Sequence, residues 1–245
     1  MQLLRIKTPV LWPPKDDLYR AFDKSLPKLR EGDVLIITSK VLSIHQGRTV
    51  KMKPGLKKDR LIAREAESYI PRAKVPGRHA VLTITNHALL PSAGIDGSNG
   101  NGYYILLPKK PENEAKRICL YLRKKYHLKK LGVIITDSHS VPLRHGVVGI
   151  SLGSFGFEPL REYTRSRGVF GARLKVARAN VVDALAATGT LLMGEAGERT
   201  PMVIARGADF LTFTDKPNYK SLLTLPGEDL YEPLLRAFRK FDKNK

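Results

Sequence analysis

Three acidic residues lie just outside apolar stretches of this 245-residue chain: Asp96 in a Gly-rich segment, Asp137 after Leu131 to Thr136, and Glu195 after the run Ala184 to Met193. Carboxylates so placed suit hard divalent cations, because magnesium or manganese is held by a few carboxylates together with substrate phosphates. Ser138 can add a hydroxyl beside Asp137. Each acid also has an ordinary explanation: Asp96 as an Asx-turn residue, Asp137 as the cap of the next turn, Glu195 as an exposed loop acid. Taken one at a time the ordinary explanation wins, but three acids at the ends of the three most apolar elements favour a site. Around Asp96, glycines 94, 97, 100 and 102 would let backbone N–H groups approach an anion closely. Asn99-Gly100 and Asn101-Gly102 would equally make a flexible hairpin turn, and the pattern leaves both readings open.

Other chemistries find less support. Asp137-Ser138-His139 is no hydrolase triad, since neighbours in sequence project in different directions. There is no GxxxxGK[ST] phosphate loop, no GxGxxG after a strand and no HExxH. His45, His79, His87, His127 and His145 show no metal-ligand spacing and read as surface or packing residues. A single Cys119 can form no intramolecular disulfide, and its place on one face with Ala115, Ile118, Leu122 and Tyr126 reads as core packing rather than a catalytic thiol.

The elements that must position these residues follow from pattern. Gly32-Asp33 turns the chain into a β-branched strand, Val34 to Thr38, with Ser39-Lys40 at its carboxyl end. Leu56 to Ile70 shows helical spacing of Ile62, Ala66, Tyr69 and Ile70, stopped by Pro71. Strands are expected at Ala80 to Thr85, Tyr103 to Leu107 and Leu131 to Thr136, with a loop at 91–102 and a basic helix at 112–126 between them, in an order resembling a βαβ unit. Residues 141–176 read as strands and loops. Asn180 caps a helix that is apolar on every side and so buried, ending near Gly194 before a strand at Pro201 to Ala205. A last amphipathic helix, from about Glu232, offers Leu234, Leu235, Phe238 and Phe241. A mixed α/β fold is expected, with residues 1–207 as the catalytic region and 208–245 as a C-terminal segment.

The 43 basic and 23 acidic residues leave a net charge of +20, which calls for polyanionic partners: phosphorylated cofactors, acidic substrates or nucleic acid. Residues 48–64, 109–130 and 161–178 hold 18 of the 20 excess charges, and solvated faces without a ligand are the plain alternative. No apolar run reaches the roughly 18 residues needed to span a bilayer, and no apolar region of a secretory signal follows Met1 to Lys7, so a cytoplasmic, membrane-free protein is expected.

Ala93-Gly94-Ile95-Asp96-Gly97-Ser98-Asn99 resembles the AGIDxSN motif of the coenzyme F420-0:γ-glutamyl ligase family, whose members act in a deazaflavin pathway. In the same order, Gly32 to Val41 with Gly47-Arg48, Gly132 to Ser138, Arg144 to Gly153 and Leu191 to Glu195 resemble further family segments, so the likeness runs from about residue 30 to 207. It implies an intertwined homodimer of mixed α/β fold, GTP as co-substrate, and two Mg2+ or Mn2+ ions beside the nucleotide, with K+ a further candidate. Carried over by position, Asp96 and Asp137 share one metal, Ser138 and Glu195 serve the second, and Asn99 contacts GTP. Ser39, Lys40 and the stretch Met193 to Pro201, with Gly194 and Gly197, are further nucleotide contacts. Asp96, Asp137 and Glu195 are thereby the catalytic set, and Lys40, Arg144 and Arg173 candidates for holding acidic substrates.

The implied reaction transfers the GTP γ-phosphoryl group to a substrate carboxylate, and the amine of L-glutamate then displaces phosphate from the acyl phosphate. Two further readings stay open: glutamylation of a folate or pterin cofactor, and a nucleic-acid-binding relative that has lost its activity. Retention of all three acids speaks against loss, since clustered acids would repel phosphate without a metal. Three departures bear on the nucleotide and the acceptor: Ile44 where members often carry a nucleotide-contacting lysine, Thr8-Pro9-Val10 in place of a GLP-like turn, and Gly168 where an acid is common.

Overall fold

Val34 to Ile37 is apolar at every position, so neither face of its strand can be left to water. The computed structural model, which describes residues 1–240 except Arg165 and Pro226, covers both faces. Its strands are β1 (Gln2–Ile6), β2 (Asp33–Thr38), β3 (Thr49–Lys51), β4 (Ser68–Ile70), β5 (Leu82–Thr85), β6 (Ala88–Pro91), β7 (Tyr103–Ile105), β8 (Leu131–Ser140), β9 (Val147–Phe155), β10 (Leu160–Glu162), β11 (Arg178–Asn180), β12 (Met202–Arg206) and β13 (Arg239–Lys240). Its helices are α1 (Leu18–Ser25), α2 (Ser39–His45), α3 (Lys58–Glu65), α4 (Pro111–Tyr126), α5 (Val181–Met193) and α6 (Glu232–Leu235).

The central sheet runs β1-β12-β2-β8-β9, with β2 and β8 parallel and the other neighbours antiparallel. Alternate residues of its strands feed two cores. Val34, Ile36, Ile134 and Val203 meet Val182, Leu185 and Ala186 of α5 on one face. Leu35, Ile37, Val133 and Ile135 meet α1, α2 and α4 on the other. Close approach of α5 requires Gly189, where a Cβ would lie 2.8 Å from Ile36. A smaller sheet, β13-β4-β5-β6, takes β4 to β6 from the chain between β2 and β8 and β13 from beyond residue 238, and a core around Leu61, Ile62, Val81 and Leu106 packs beside it.

The elements depart from the sequence reading where long-range pairing decides. Tyr69 and Ile70 are not the end of a helix: α3 stops at Glu65, and Ser68 to Ile70 pairs with β5 instead, because the ladder there outweighs a helical spacing. The strands flanking α4 do not form a βαβ unit, since β7 pairs with β3 in a separate ribbon while β8 pairs with β2. Asp137 is not past the end of its strand, because β8 runs on to Ser140 and Asp137 sits opposite Ile150. Asn180 does cap α5, its side chain accepting from the Asp183 N–H. That helix is buried on one side only, for Leu191 is 81% exposed. The final helix is four residues long, after which Arg239 and Lys240 return to pair with β4; Phe241 lies outside the described residues. Cys119 is a core residue: it donates to the Leu131 carbonyl at 3.1 Å, and burial pushes its thiol up to about 11. Among the described residues no helix is long and apolar enough to cross a membrane.

Candidate functional site

Because β2 and β8 are parallel neighbours with Thr38 opposite Thr136, Ser39 and Lys40, which follow β2, lie beside Asp137, the next residue of β8. Lys40 Nζ stands 3.4 Å from Asp137 Oδ1. Ligands of open α/β sheets collect beyond such carboxyl ends. Here a cleft of about 530 Å³ opens, and Asp96, Asp137, Ser138 and Glu195 all line it. Asp96 arrives from the opposite wall. Its backbone is clamped to Ile105 by two hydrogen bonds, at 3.0 and 2.8 Å, so the Gly-rich loop leaves the wall at a fixed point. Glu195 comes from the exit of α5, where Gly194 adopts φ +79° and a Cβ would collide with the Glu198 carboxylate at 2.3 Å.

The charges in the cleft depend on one another. Asp137 is almost fully buried, and burial pushes its carboxyl pKa up; Lys40, the Ser138 N–H and the Ser39 hydroxyl oppose that rise without overturning it. Burial works against the Lys40 ammonium too, but the attraction of Asp137, then Asp96 and Glu195, holds its pKa above the ordinary lysine value. All three predicted acids therefore share a cleft with one lysine and attract its charge, Asp137 from hydrogen-bond distance. At Asp96, burial is outweighed by the Ser98 hydroxyl and N–H and by Lys40 and Lys58, which keep the carboxyl ionised below its ordinary range.

Asp96 shows that its ordinary and functional explanations coexist. Oδ1 accepts the Ser98 N–H at 2.8 Å, which is the Asx turn, while Oδ2 is buried with no partner. An ionised oxygen buried without a donor is costly unless a cation completes it. Among the described residues no three His, Cys, Asp or Glu side chains gather closely enough to enclose an ion by themselves. The donor set therefore fits a magnesium-type ion, which takes one or two carboxylates and completes its shell with phosphate and water, and does not fit an all-protein cage.

Of the predicted nucleotide contacts, Lys40, Asn99, Met193, Gly194 and Gly197 line the cleft. Ser39 does not; it is buried behind the site with its hydroxyl turned to Asp137. Arg144 and Arg173 also lie outside the lining. Arg199 and Thr200, which fall in the expected stretch Met193 to Pro201, line the cleft, as do Thr190 and His139, which the sequence did not single out as contacts. His139 Nδ1 is buried without a partner, and burial pushes the imidazole pKa down against the charge of Asp183. The period-2 spacing of Asp137 and His139 in a strand was the signal that both would share a face. The segment Thr8 to Leu11 forms one wall, joined to the loop after α5 by the Thr8 N–H to the Arg199 carbonyl at 3.0 Å. Ile44 lines the cleft as an apolar residue.

The sequence model of the F420-0:γ-glutamyl ligase family matches residues 5–207. The chain belongs to that family. Every residue named in the cleft falls within the span that the F420-0:γ-glutamyl ligase family matches, the N-terminal wall included. The chain is similar to the coenzyme F420:L-glutamate ligase of Methanopyrus kandleri, with 32% identity over 237 residues, 89% of this chain and 92% of the relative. It is similar to the ligase of the same name from Methanocaldococcus jannaschii, with 31% identity over 194 residues, 74% of this chain and 78% of the relative. A Halobacterium salinarum ligase of that name is 32% identical over 201 residues, 74% of this chain and 78% of the relative.

Proposed function

We propose that this protein, a member of the γ-glutamyl ligase family, joins the amine of L-glutamate through an amide bond to a carboxylate of coenzyme F420-0, with GTP as the energy source and divalent cations as cofactors. The observation that carries the reading is the convergence of Asp96, Asp137 and Glu195 on Lys40 in one cleft of a chain from this family. Asp96 and Asp137 would hold one cation, Ser138 and Glu195 the other. When bound, the cations neutralise triphosphate oxygens.

The chain's own groups do the rest. Lys40, beside Asp137 in the cleft, would offer its ammonium to a phosphate oxygen, and Arg199 would add a second positive charge from the loop after α5. Backbone N–H groups of the Gly-rich loop hold the phosphates without side chains in the way. The acceptor carboxylate attacks the γ-phosphorus and GDP leaves. The glutamate amine then forms the amide bond, phosphate departs, and the amine gives up its extra proton. Apolar walls at Val10, Leu11 and Ile44 limit water at the acyl phosphate, which would otherwise hydrolyse.

The test is phosphate release from GTP with L-glutamate, magnesium or manganese, and one of F420-0, a reduced folate or no acceptor. Release stimulated by F420-0, with hydroxylamine trapping an acylated product, is the expected result. Stimulation by folate alone would move the acceptor to a pterin cofactor. No stimulation together with no GTP binding at millimolar concentration would leave a binding protein on a ligase scaffold, to be checked by a salt titration against RNA.

We also infer a homodimer, because Leu143, Val169 and Phe170 are almost wholly exposed apolar side chains that a second subunit would cover. Light scattering that finds only a 27.4 kDa species at micromolar concentration would refute it.

A further inference from the structure

The cleft does not end at its acids. Past Pro9, Val10 and Leu11, which form its wall, a second groove of about 220 Å³ follows the same segment. Trp12, the chain's single tryptophan, lines this groove and is 56% exposed. Across from it α1 contributes Arg20 and Lys24, four residues apart and so neighbours on one helix face.

Two acids, Asp16 and Asp17, line the groove with these cations, and both accept backbone N–H groups. Asp16, which also lines the groove, accepts the Trp12 N–H at 3.0 Å and the Asp17 N–H at 2.7 Å. Asp17 caps α1 through the Tyr19 N–H and faces His45 at 3.7 Å. Asp23 binds Lys125 on α4. Asp16 lies close enough to feel the charge of both Arg20 and Lys24, and its carboxyl is held below the usual range, first by its bond to Trp12. Among the described residues neither Arg20 nor Lys24 gives a side-chain hydrogen bond or ion pair to another group.

An exposed indole taken alone is ordinary. An indole on a groove that continues a phosphate-directed cleft, opposite two cations with free donors, has the composition that binds flat anionic molecules: a π-face to stack on and charged donors beside it. We propose that this groove is a subsite in which Trp12 stacks on the planar heteroaromatic ring of an anionic ligand while Arg20 and Lys24 hold one of its anionic groups. The proposal rests on the ligase reading for the ligand's identity, since a guanine nucleotide and a deazaflavin acceptor both combine a flat ring with phosphate.

Calorimetry of the whole protein with GTP, F420-0, a reduced folate and ringless tripolyphosphate, each with manganese, separates the sources. In Trp12→Ala one ring-bearing ligand is expected to bind about tenfold more weakly, while Trp12→Phe stays within about threefold and tripolyphosphate is unchanged, as for loss of one stacking contact. The same ligand should protect wild-type Trp12 from acrylamide quenching, a readout that no other residue can supply. If every ring-bearing ligand binds Trp12→Ala as tightly as wild type, the subsite is wrong while acceptor-stimulated GTP turnover still supports the ligase. If none binds at all, both readings fall. A ligand-free Trp12 already shielded from acrylamide at micromolar protein would mean that a second copy covers the groove, and would also overturn the subsite.

Discussion

Asp96→Asn is expected to lower acceptor-stimulated GTP turnover by at least about a hundredfold while leaving the melting temperature within about 2 °C of wild type. The asparagine oxygen can still accept the Ser98 N–H that forms the Asx turn, so the loop keeps its shape. What disappears is the negative charge on the buried, partnerless Oδ2 and with it the affinity for a cation. Phosphate release at saturating manganese, paired with a thermal melt, measures both effects. Wild-type turnover in a folded Asp96→Asn protein would remove Asp96 from any metal site. Asp137→Asn should silence turnover as well, but its melting temperature should fall. Its carboxylate is buried inside β8 and its loss strands the Lys40 ammonium.

The largest effect on stability is expected at Asp33→Ala, far from the cleft. Asp33 is fully buried at the start of β2 and receives Arg206 Nε at 2.9 Å, Arg206 Nη2 at 2.8 Å and the Arg30 N–H at 2.9 Å. The fork ties the entry of β2 to the end of β12, its neighbour in the sheet. Truncation leaves the Arg206 guanidinium with only the Lys28 carbonyl, at 3.4 Å, and the Arg30 N–H without its acceptor, which costs about 3–5 kcal/mol for a buried pair. For a chain of this size that lowers the melting temperature by about 10 °C. Asp33→Asn should lose less, because it can still accept one donor. Calorimetry showing both variants within about 2 °C of wild type would mean that the pair contributes nothing net.

Much of the fold was legible because it rests on local patterns. Val34 to Ile37 and Leu131 to Thr136 read as buried strands, and both are central in the sheet. Residues 112–126 read as a helix from one apolar face, and Asn180 read as a cap; α4 and α5 follow. The segment Leu56 to Ile70 was misread because Tyr69 and Ile70 fit a helix and a strand equally well, and only a partner strand some 13 residues on settles the matter. The return of Arg239 to β4 had no local signal at all.

For the site, the sequence by itself determined which residue types the proposed chemistry can draw on: three acids beside apolar elements, a Gly-rich loop and a lysine at a strand end, in the order of a ligase family. Those are properties of residue type and spacing, which survive without coordinates. The tertiary structure alone decided that Asp96, Asp137 and Glu195 line one cleft with Lys40, the parallel pairing of β2 with β8 setting Lys40 against Asp137 across 97 positions of chain. It also decided that Thr8 to Leu11 and Arg199 close the cleft, through a hydrogen bond spanning nearly the whole chain, and that Ser39 supports Asp137 from behind. A side chain's type is written in the sequence, but its partners come from register and packing between segments far apart, and no local pattern encodes those.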